Sequence, residues 1–318
     1  MRESASQKVA SREFSVAKAV VDISPEASRE RENDVHDGAH TAFVRIRKAM
    51  SRLKISAISY LNTAPLMWDF EHEPAGADFD ISYTIPSACA ASLRDGSADI
   101  GIIPAAAYAV IPDLVIIPDV AIASKREVRS ILLVSTVPIE QIRTVALDTS
   151  SMTSVALCKI LFAKWLGGPR SYASMAPDLD CMLADHDAGL LIGDPALQVD
   201  RSRYVTLDLA EEWVGRTGKS FVFAFWAIRR QVLAGRDASS VAGAFRASRD
   251  HGLEAKNLEM IVREWAPRLN LEAAAVRSYL THNIHYYLDS PSLEGLNLFF
   301  RYGHEIGALP PSPELRFA

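Results

Sequence analysis

No run of the 318 residues is apolar for long enough to span a bilayer as a helix. The first fifty residues also lack the apolar stretch of a secretory signal; "SPEASRERENDVHDGAH" is charged and polar throughout. These two absences lead to the expectation of a cytoplasmic protein with no membrane partner. Cysteine is scarce, with Cys89, Cys158 and Cys181 odd in number, unclustered and set in apolar helical contexts. That usage suits buried thiols in a reducing compartment and argues against a disulfide framework or a metal site. Positive charge is not in excess: 34 Lys and Arg face 39 Asp and Glu, for a formal net charge of −5. A nucleic-acid footprint is therefore not expected. A small anion remains admissible, because helix N-termini bind anions whatever the global charge. Also missing are a G-x-G-x-x-G or Walker A loop, a G-x-S-x-G elbow and an H-E-x-x-H pair, so no cofactor and no metal are expected.

What is present is a chain that is 49% hydrophobic, enough for one large or two medium cores. Residues 1–49 show no sustained period beyond short pieces such as "FSVAKAVV" and read as a disordered extension. Met50 stands directly before the first strand and reads as an alternative start. From Lys54 onward, short β-rich runs alternate with helical stretches, as in an α/β domain. "LKISAIS", "FDISYTI", "ADIGIIP", "LVIIPDVAIAS" and "RSILLVS" read as strands of a first unit, with helices at "APLMWDF", "PSACAASLRDG" and "AAAYAVI". "IRTVALD", "AGLLIGDPAL" and "RYVTLDLA" read as strands of a second, with a long helix in "SSMTSVALCKILFAKWLGG". "SFVFAFWAIRR" reads as a fully apolar strand, and everything after about Gln231 as helix, "EAAAVRSYLTHNIHYYL" included. The expected organisation is two α/β lobes joined by two crossings. Residues 50–137 with 225–318 form lobe I, carrying the C-terminal helices, and 138–224 form lobe II. Between them lies a cleft, the natural place for a small ligand.

In open α/β sheets ligands bind beyond the carboxyl ends of the strands. Those ends carry Ser59, Tyr60, Asn62 and Thr63 after the first strand, and Ser130 at the start of the outward crossing strand. They carry Ser150, Ser151, Thr153 and Ser154 at the long helix, and Asp194 after "LLIG". Each has a plainer reading. Asn62 suits a turn, the Ser and Thr residues suit N-caps, Asp194 before Pro195 suits an Asx-turn or cap, and Tyr60 suits packing. Four hydroxyls exceed what one cap requires. His282 and His285 lie three apart with no third ligand near, which is not a metal set. A cleft with hydroxyls, an amide and helix N-termini, but no His, fits a small anionic ligand. The residues alone leave both a binding protein and an enzyme open.

Five stretches in order, "SYLNTAPL", "ALDTSSMTSVAL", "LLIGDPAL", "DLAEEWVGRTGKSFVFAFWAI" and "LEGLNLFF", resemble the chorismate dehydratases of the futalosine route to menaquinone. The resemblance covers residues 54–307 and leaves the N-terminal segment unexplained. It implies the two-lobed type II periplasmic-binding-protein-like fold and conversion of chorismate to 3-[(1-carboxyvinyl)oxy]benzoate and water, a carbon–oxygen lyase reaction. It implies catalytic roles for Asn62 and Ser130, and carboxylate binding by Ser151, Thr153 and Ser154. Tyr60, Thr63 and Asp194, from the strand ends, join them as expected substrate-binding residues. With no His at these positions, the base is expected to be the substrate's own enolpyruvyl carboxylate. A dihydroxynaphthoate synthase of the same pathway is the nearest alternative, but that family resembles "IHE" where this chain has Ile192, Gly193 and Asp194. A small-anion binding protein of the same fold is another; a transport protein would need export, and a transcription-factor effector domain a helix-turn-helix upstream.

Overall fold

The computed structural model describes residues 52–72 and 79–318. The reading of residues 1–49 as disordered lies outside the described residues. Among the described residues ten strands are formed: β1 (Leu53–Ile58), β2 (Phe79–Thr84), β3 (Ile100–Pro104), β4 (Leu114–Ser124), β5 (Ile131–Ser135), β6 (Thr144–Asp148), β7 (Ser171–Met175), β8 (Ala188–Ile192), β9 (Val205–Asp208) and β10 (Phe221–Arg229). The helices are α1 (Trp68–His72), α2 (Pro86–Asp95), α3 (Ala105–Tyr108), α4 (Thr153–Lys164), α5 (Leu179–Asp185), α6 (Gly193–Leu197), α7 (Leu209–Thr217), α8 (Ala238–Gly252), α9 (Ala255–Leu269), α10 (Ala273–Ser278) and α11 (Ser290–Glu305).

Two sheets of the same topology result, ordered β2-β1-β3-β10-β4 and β7-β6-β8-β5-β9. In each, a strand pairs in parallel with two neighbours (β1 with β2 and β3, β6 with β7 and β8), and a strand from outside that run is inserted antiparallel, the later β10 in the first sheet and the earlier β5 in the second. Helices cover the faces, so β3, β5 and β8 are buried along their whole length and read as unbroken apolar runs rather than alternating ones. The chain leaves the first sheet after Ser124, enters the second at Ile131, and returns to the first at Phe221.

Four sequence expectations need correction. The expectation counts β5 with lobe I, but its hydrogen bonds to β8 and β9 put it in the second sheet; an apolar run does not say which sheet it joins. The edge strand β7 ("SYASM") and helix α5 were not anticipated, because β7 is half exposed and carries little apolar signal. The stretch "EAAAVRSYLTHNIHYYL" is not one helix. α10 gives way to a π-turn at Tyr279–Asn283, and the following residues run extended, with His285 bridging Ala123 of β4. Cys89 and Cys158 are buried as expected, but Cys181 is exposed on α5.

The C-terminal helices fix the segment after β1. A 3-10 turn, Leu61–Met67, contains Pro65 and runs directly into α1. α8 packs against it so closely that a Cβ at Gly252 would stand 2.0 Å from the Pro65 carbonyl oxygen. The Ser248 hydroxyl donates to the Leu66 carbonyl (2.9 Å) and accepts from the Asp69 N–H (3.0 Å), serving backbone groups where the 3-10 turn passes into α1. α11 lies on β10 and also reaches α4, where Lys164 pairs with Glu305. Among the described residues no helix is long and apolar enough to cross a membrane.

Candidate active site

The carboxyl ends of β1, β3, β6 and β8 converge on one slot between the sheets. Ile58, Pro86, Pro104, Ile122, Ile131, Ile192 and Phe223 supply apolar walls. Tyr60, Asn62, Ser151, Thr153 and Ser154 supply polar groups. The space between these residues, open solvent included, is about 410 Å³, of which about 50 Å³ admits the centre of a water molecule. The site is a narrow slot. No Lys, Arg or His is among the described residues that line it.

The sheets are closed on each other by three hydrogen bonds of one kind. N–H groups at the starts of first-sheet helical turns donate to oxygens of the second sheet's loops. The Leu61 N–H donates to Asp194 Oδ1 (3.0 Å), the Ser87 N–H to the Ser150 carbonyl (3.1 Å), and the Ala106 N–H to Thr153 Oγ1 (3.1 Å). Such N–H groups have no partner within their own helix, so each bond satisfies a donor that closure would otherwise strand.

On the second sheet, β6 ends in Asp148, whose buried carboxylate accepts from the Ser150 N–H (2.8 Å), the Ser150 hydroxyl (2.6 Å) and the Ile192 N–H (3.3 Å). This knot sets the loop into α4. The Ser151 hydroxyl then accepts from the Ser154 N–H (3.2 Å), a cap at the helix start. α4, twelve residues long, thus opens at the slot with its positive end facing it. Gly193 follows β8 with φ of +64°, and a Cβ there would come within 2.5 Å of the Tyr60 ring. Glycine is needed on both counts, and the Tyr60 ring occupies the space that a side chain at 193 would need.

A second polar group forms around Ser130. Its carbonyl accepts from the Gly193 N–H (2.8 Å), and its hydroxyl accepts from the phenol of Tyr279 (2.8 Å). Asn62 engages the same phenol, and its Oδ1 accepts from the Thr63 hydroxyl (3.3 Å). Burial raises the Tyr279 phenol far above its ordinary range, opposed by the Ser130 and Asn62 contacts and reinforced by the Asp194 charge. Burial likewise pushes Asp194 up to about 6, held down partly by the Leu61 N–H, and lifts Asp148 and Tyr60.

A model of a menaquinone-biosynthesis family matches residues 53–305. A chorismate dehydratase of Thermus thermophilus is 30% identical over 258 residues, covering 76% of this chain and 91% of that protein. The chain belongs to the menaquinone-biosynthesis family. Solved structures show the fold. A protein of Archaeoglobus fulgidus superposes with a TM-score of 0.64 at 15% identity, covering 81% of this chain and 98% of that one. The periplasmic aliphatic sulphonate binding protein of Escherichia coli does so with 0.58 at 18%, covering 83% and 90%. The two-lobed fold of periplasmic binding proteins expected from the sequence is therefore the fold of this family member.

In this member of the family the expected site residues are only partly brought together. Tyr60, Asn62, Ser151, Thr153 and Ser154 line the slot. Ser130 is fully buried next to the lining residue Ile131 in sequence, and Asp194 spends its carboxylate on the Leu61 N–H. Thr63 lines a different cavity, with Ser59, Glu71, Tyr83, Trp265 and Arg268, on the other side of Tyr60. The sequence reading passed over Tyr279, because the stretch carrying it looked like continuous helix. His282 and His285 are engaged elsewhere, with the Thr281 hydroxyl (2.8 Å) and with Asp289 (2.9 Å). Among the described residues no group of three His, Cys, Asp or Glu is placed to hold a metal ion.

Proposed function

We propose that the protein is a cytoplasmic enzyme of menaquinone biosynthesis, a hydro-lyase that converts chorismate to 3-[(1-carboxyvinyl)oxy]benzoate and water. The supporting observation is that Asn62 and the start of α4 border one narrow, otherwise apolar slot. A small cyclohexadiene ring with a carboxylate on C1 and a second on the C3 enolpyruvyl ether suits that shape. One carboxylate would take the hydroxyls of Ser151, Thr153 and Ser154 at the positive end of α4. The other end of the ring would lie toward Asn62 and Ser130.

The reaction removes the C3 proton and the C4 hydroxyl. The C3–H is vinylogous to the ring carboxylate, so its loss gives a delocalised dienolate, and departure of the C4 oxygen as water completes an aromatic ring. Aromatisation makes the reaction downhill, and the task is to break the C4–O bond and spare the C3–O bond to enolpyruvate. Fixed orientation suffices for this, and in favourable cases is worth roughly 7–11 kcal/mol. Among the described residues no carboxylate or imidazole side chain lines the slot, which favours the substrate's enolpyruvyl carboxylate as the base at C3–H. Asn62 and Ser130 would donate to the leaving oxygen or to the developing dienolate.

The dihydroxynaphthoate synthase alternative is disfavoured at Gly193, where a histidine side chain would collide with the Tyr60 ring. The deciding experiment is incubation of purified protein with chorismate, followed by mass spectrometry. The expected product is the aromatic enol ether, chorismate less one water. Unchanged chorismate, or release of pyruvate with 4-hydroxybenzoate, would overturn the reading.

A further inference from the structure

Ser130 is held more tightly than a residue at a chain crossing needs to be. The residue before it, Arg129, has φ of +65°, unfavourable for a non-glycine residue. Its N–H and that of Val128 are both bound by the buried carboxylate of Asp208 (2.6 and 3.1 Å). The Ser130 carbonyl is taken by Gly193, and its hydroxyl oxygen by Tyr279. Tyr279 opens the π-turn, an irregularity frequent at functional sites. That turn is tied to the same crossing segment, for Asn283 Nδ2 donates to the Glu127 carbonyl (3.2 Å).

From this we infer that Tyr279 is a positioning residue for Ser130, a role that rests on the dehydratase reading above. The phenol oxygen is engaged by the Asn62 amide, and its proton goes to Ser130 Oγ. A serine hydroxyl has one proton and two acceptor sites. With one acceptor site filled by Tyr279, the Ser130 hydroxyl is oriented by the phenol and keeps its own proton to donate in another direction. Tyr279 thus donates to one of the two residues expected to act on substrate, Ser130, and lies beside the other, Asn62.

The test is a double-mutant cycle on Tyr279→Phe and Ser130→Ala. Tyr279→Phe should lower kcat by about tenfold to a hundredfold, the scale of a lost oriented donor, with KM within about twofold of wild type. Tyr279→Phe added to Ser130→Ala should slow turnover no further. A Tyr279→Phe enzyme with wild-type kcat, or singles whose effects multiply in the double variant, overturns the proposal. The same cycle on Tm does not depend on turnover. Each single should lower Tm and the double should lose less than the sum, whereas strict additivity would show that no such link exists. Should Tyr279→Phe not fold, Ser130→Ala alone strands a buried phenol and should lower Tm by several degrees; an unchanged Tm overturns the link. Wild-type protein that leaves chorismate intact removes the dehydratase reading, and the Tm cycle still decides the hydrogen bond.

Discussion

Asp194→Asn should stabilise the protein at neutral pH and not at acid pH. Burial raises the Asp194 carboxyl from 3.8 to about 6, and the single N–H it receives from Leu61 offsets only part of that. A folded chain that keeps its proton up to about 6, against 3.8 unfolded, binds more protons than the unfolded chain between those values. Stability therefore falls as pH rises through that window, and the penalty is fully present above it. Two pK units correspond to about 3 kcal/mol. Asparagine does not titrate, and its amide oxygen still accepts from Leu61, though as a weaker neutral acceptor. The variant should thus be more stable than wild type by about 1–3 kcal/mol at about pH 7.5, and the difference should shrink toward zero near pH 4. Urea unfolding of both proteins across that range measures the difference directly, with every other carboxylate cancelling. An offset that does not change with pH would refute the argument, because it would mean Asp194 is as well solvated folded as unfolded.

Three further outcomes follow from the slot. Asn62→Asp keeps the shape but exchanges a donor for a negative charge beside a dianion; turnover of the folded variant should fall at least about a hundredfold, and near-normal turnover would remove Asn62 from catalysis. Gly193→Ala forces a side chain into the left-handed region, at about 1–2 kcal/mol, and against the Tyr60 ring. Both Tm and chorismate affinity should drop, and an unaffected KM would show that Tyr60 does not shape the slot. Thr153→Ala and Ser154→Ala should each weaken chorismate binding by about 1–2 kcal/mol, as for one lost hydrogen bond to a charged group. Of the two, only Thr153→Ala also frees the Ala106 N–H and should lower Tm more; unchanged affinity in both would take α4 out of the site.

Much of the fold is legible because buried strands and capped helices leave local marks. "ILLVS" and "FVFAFWAI" can hardly be anything but interior strands, and "TSSMTS" before an apolar run announces a helix start. Sheet membership is not local, which is why β5 was counted with the wrong neighbours. β7 was missed because an edge strand buries little and needs few apolar residues. At the site, Asn62 and the α4 hydroxyls were visible because they sit at strand ends. Tyr279 was not, since it comes from a break in what reads as helix, and Ser130 meets it only across 149 positions of sequence. Thr63 shows the opposite error: it neighbours a slot residue in sequence, yet a 3-10 turn points it to another cavity.

Closure of the sheets bears on selectivity. The N–H groups that open the first sheet's helical turns, at Leu61, Ser87 and Ala106, are all taken by second-sheet oxygens, while α4 opens at the slot from the other side. Anion-binding capacity is therefore concentrated at one end, and among the described residues no lysine or arginine in the lining competes with it. A substrate with two carboxylates cannot be held equally in both orientations by such a site. With one carboxylate at α4, the ring edge facing Asn62 and Ser130 is fixed, and so is which carbon–oxygen bond meets a donor. A cation beside the enolpyruvyl group would stabilise it as a leaving group and open the route to pyruvate. On the proposed reading the lack of such a cation is part of how water, and not enolpyruvate, is lost.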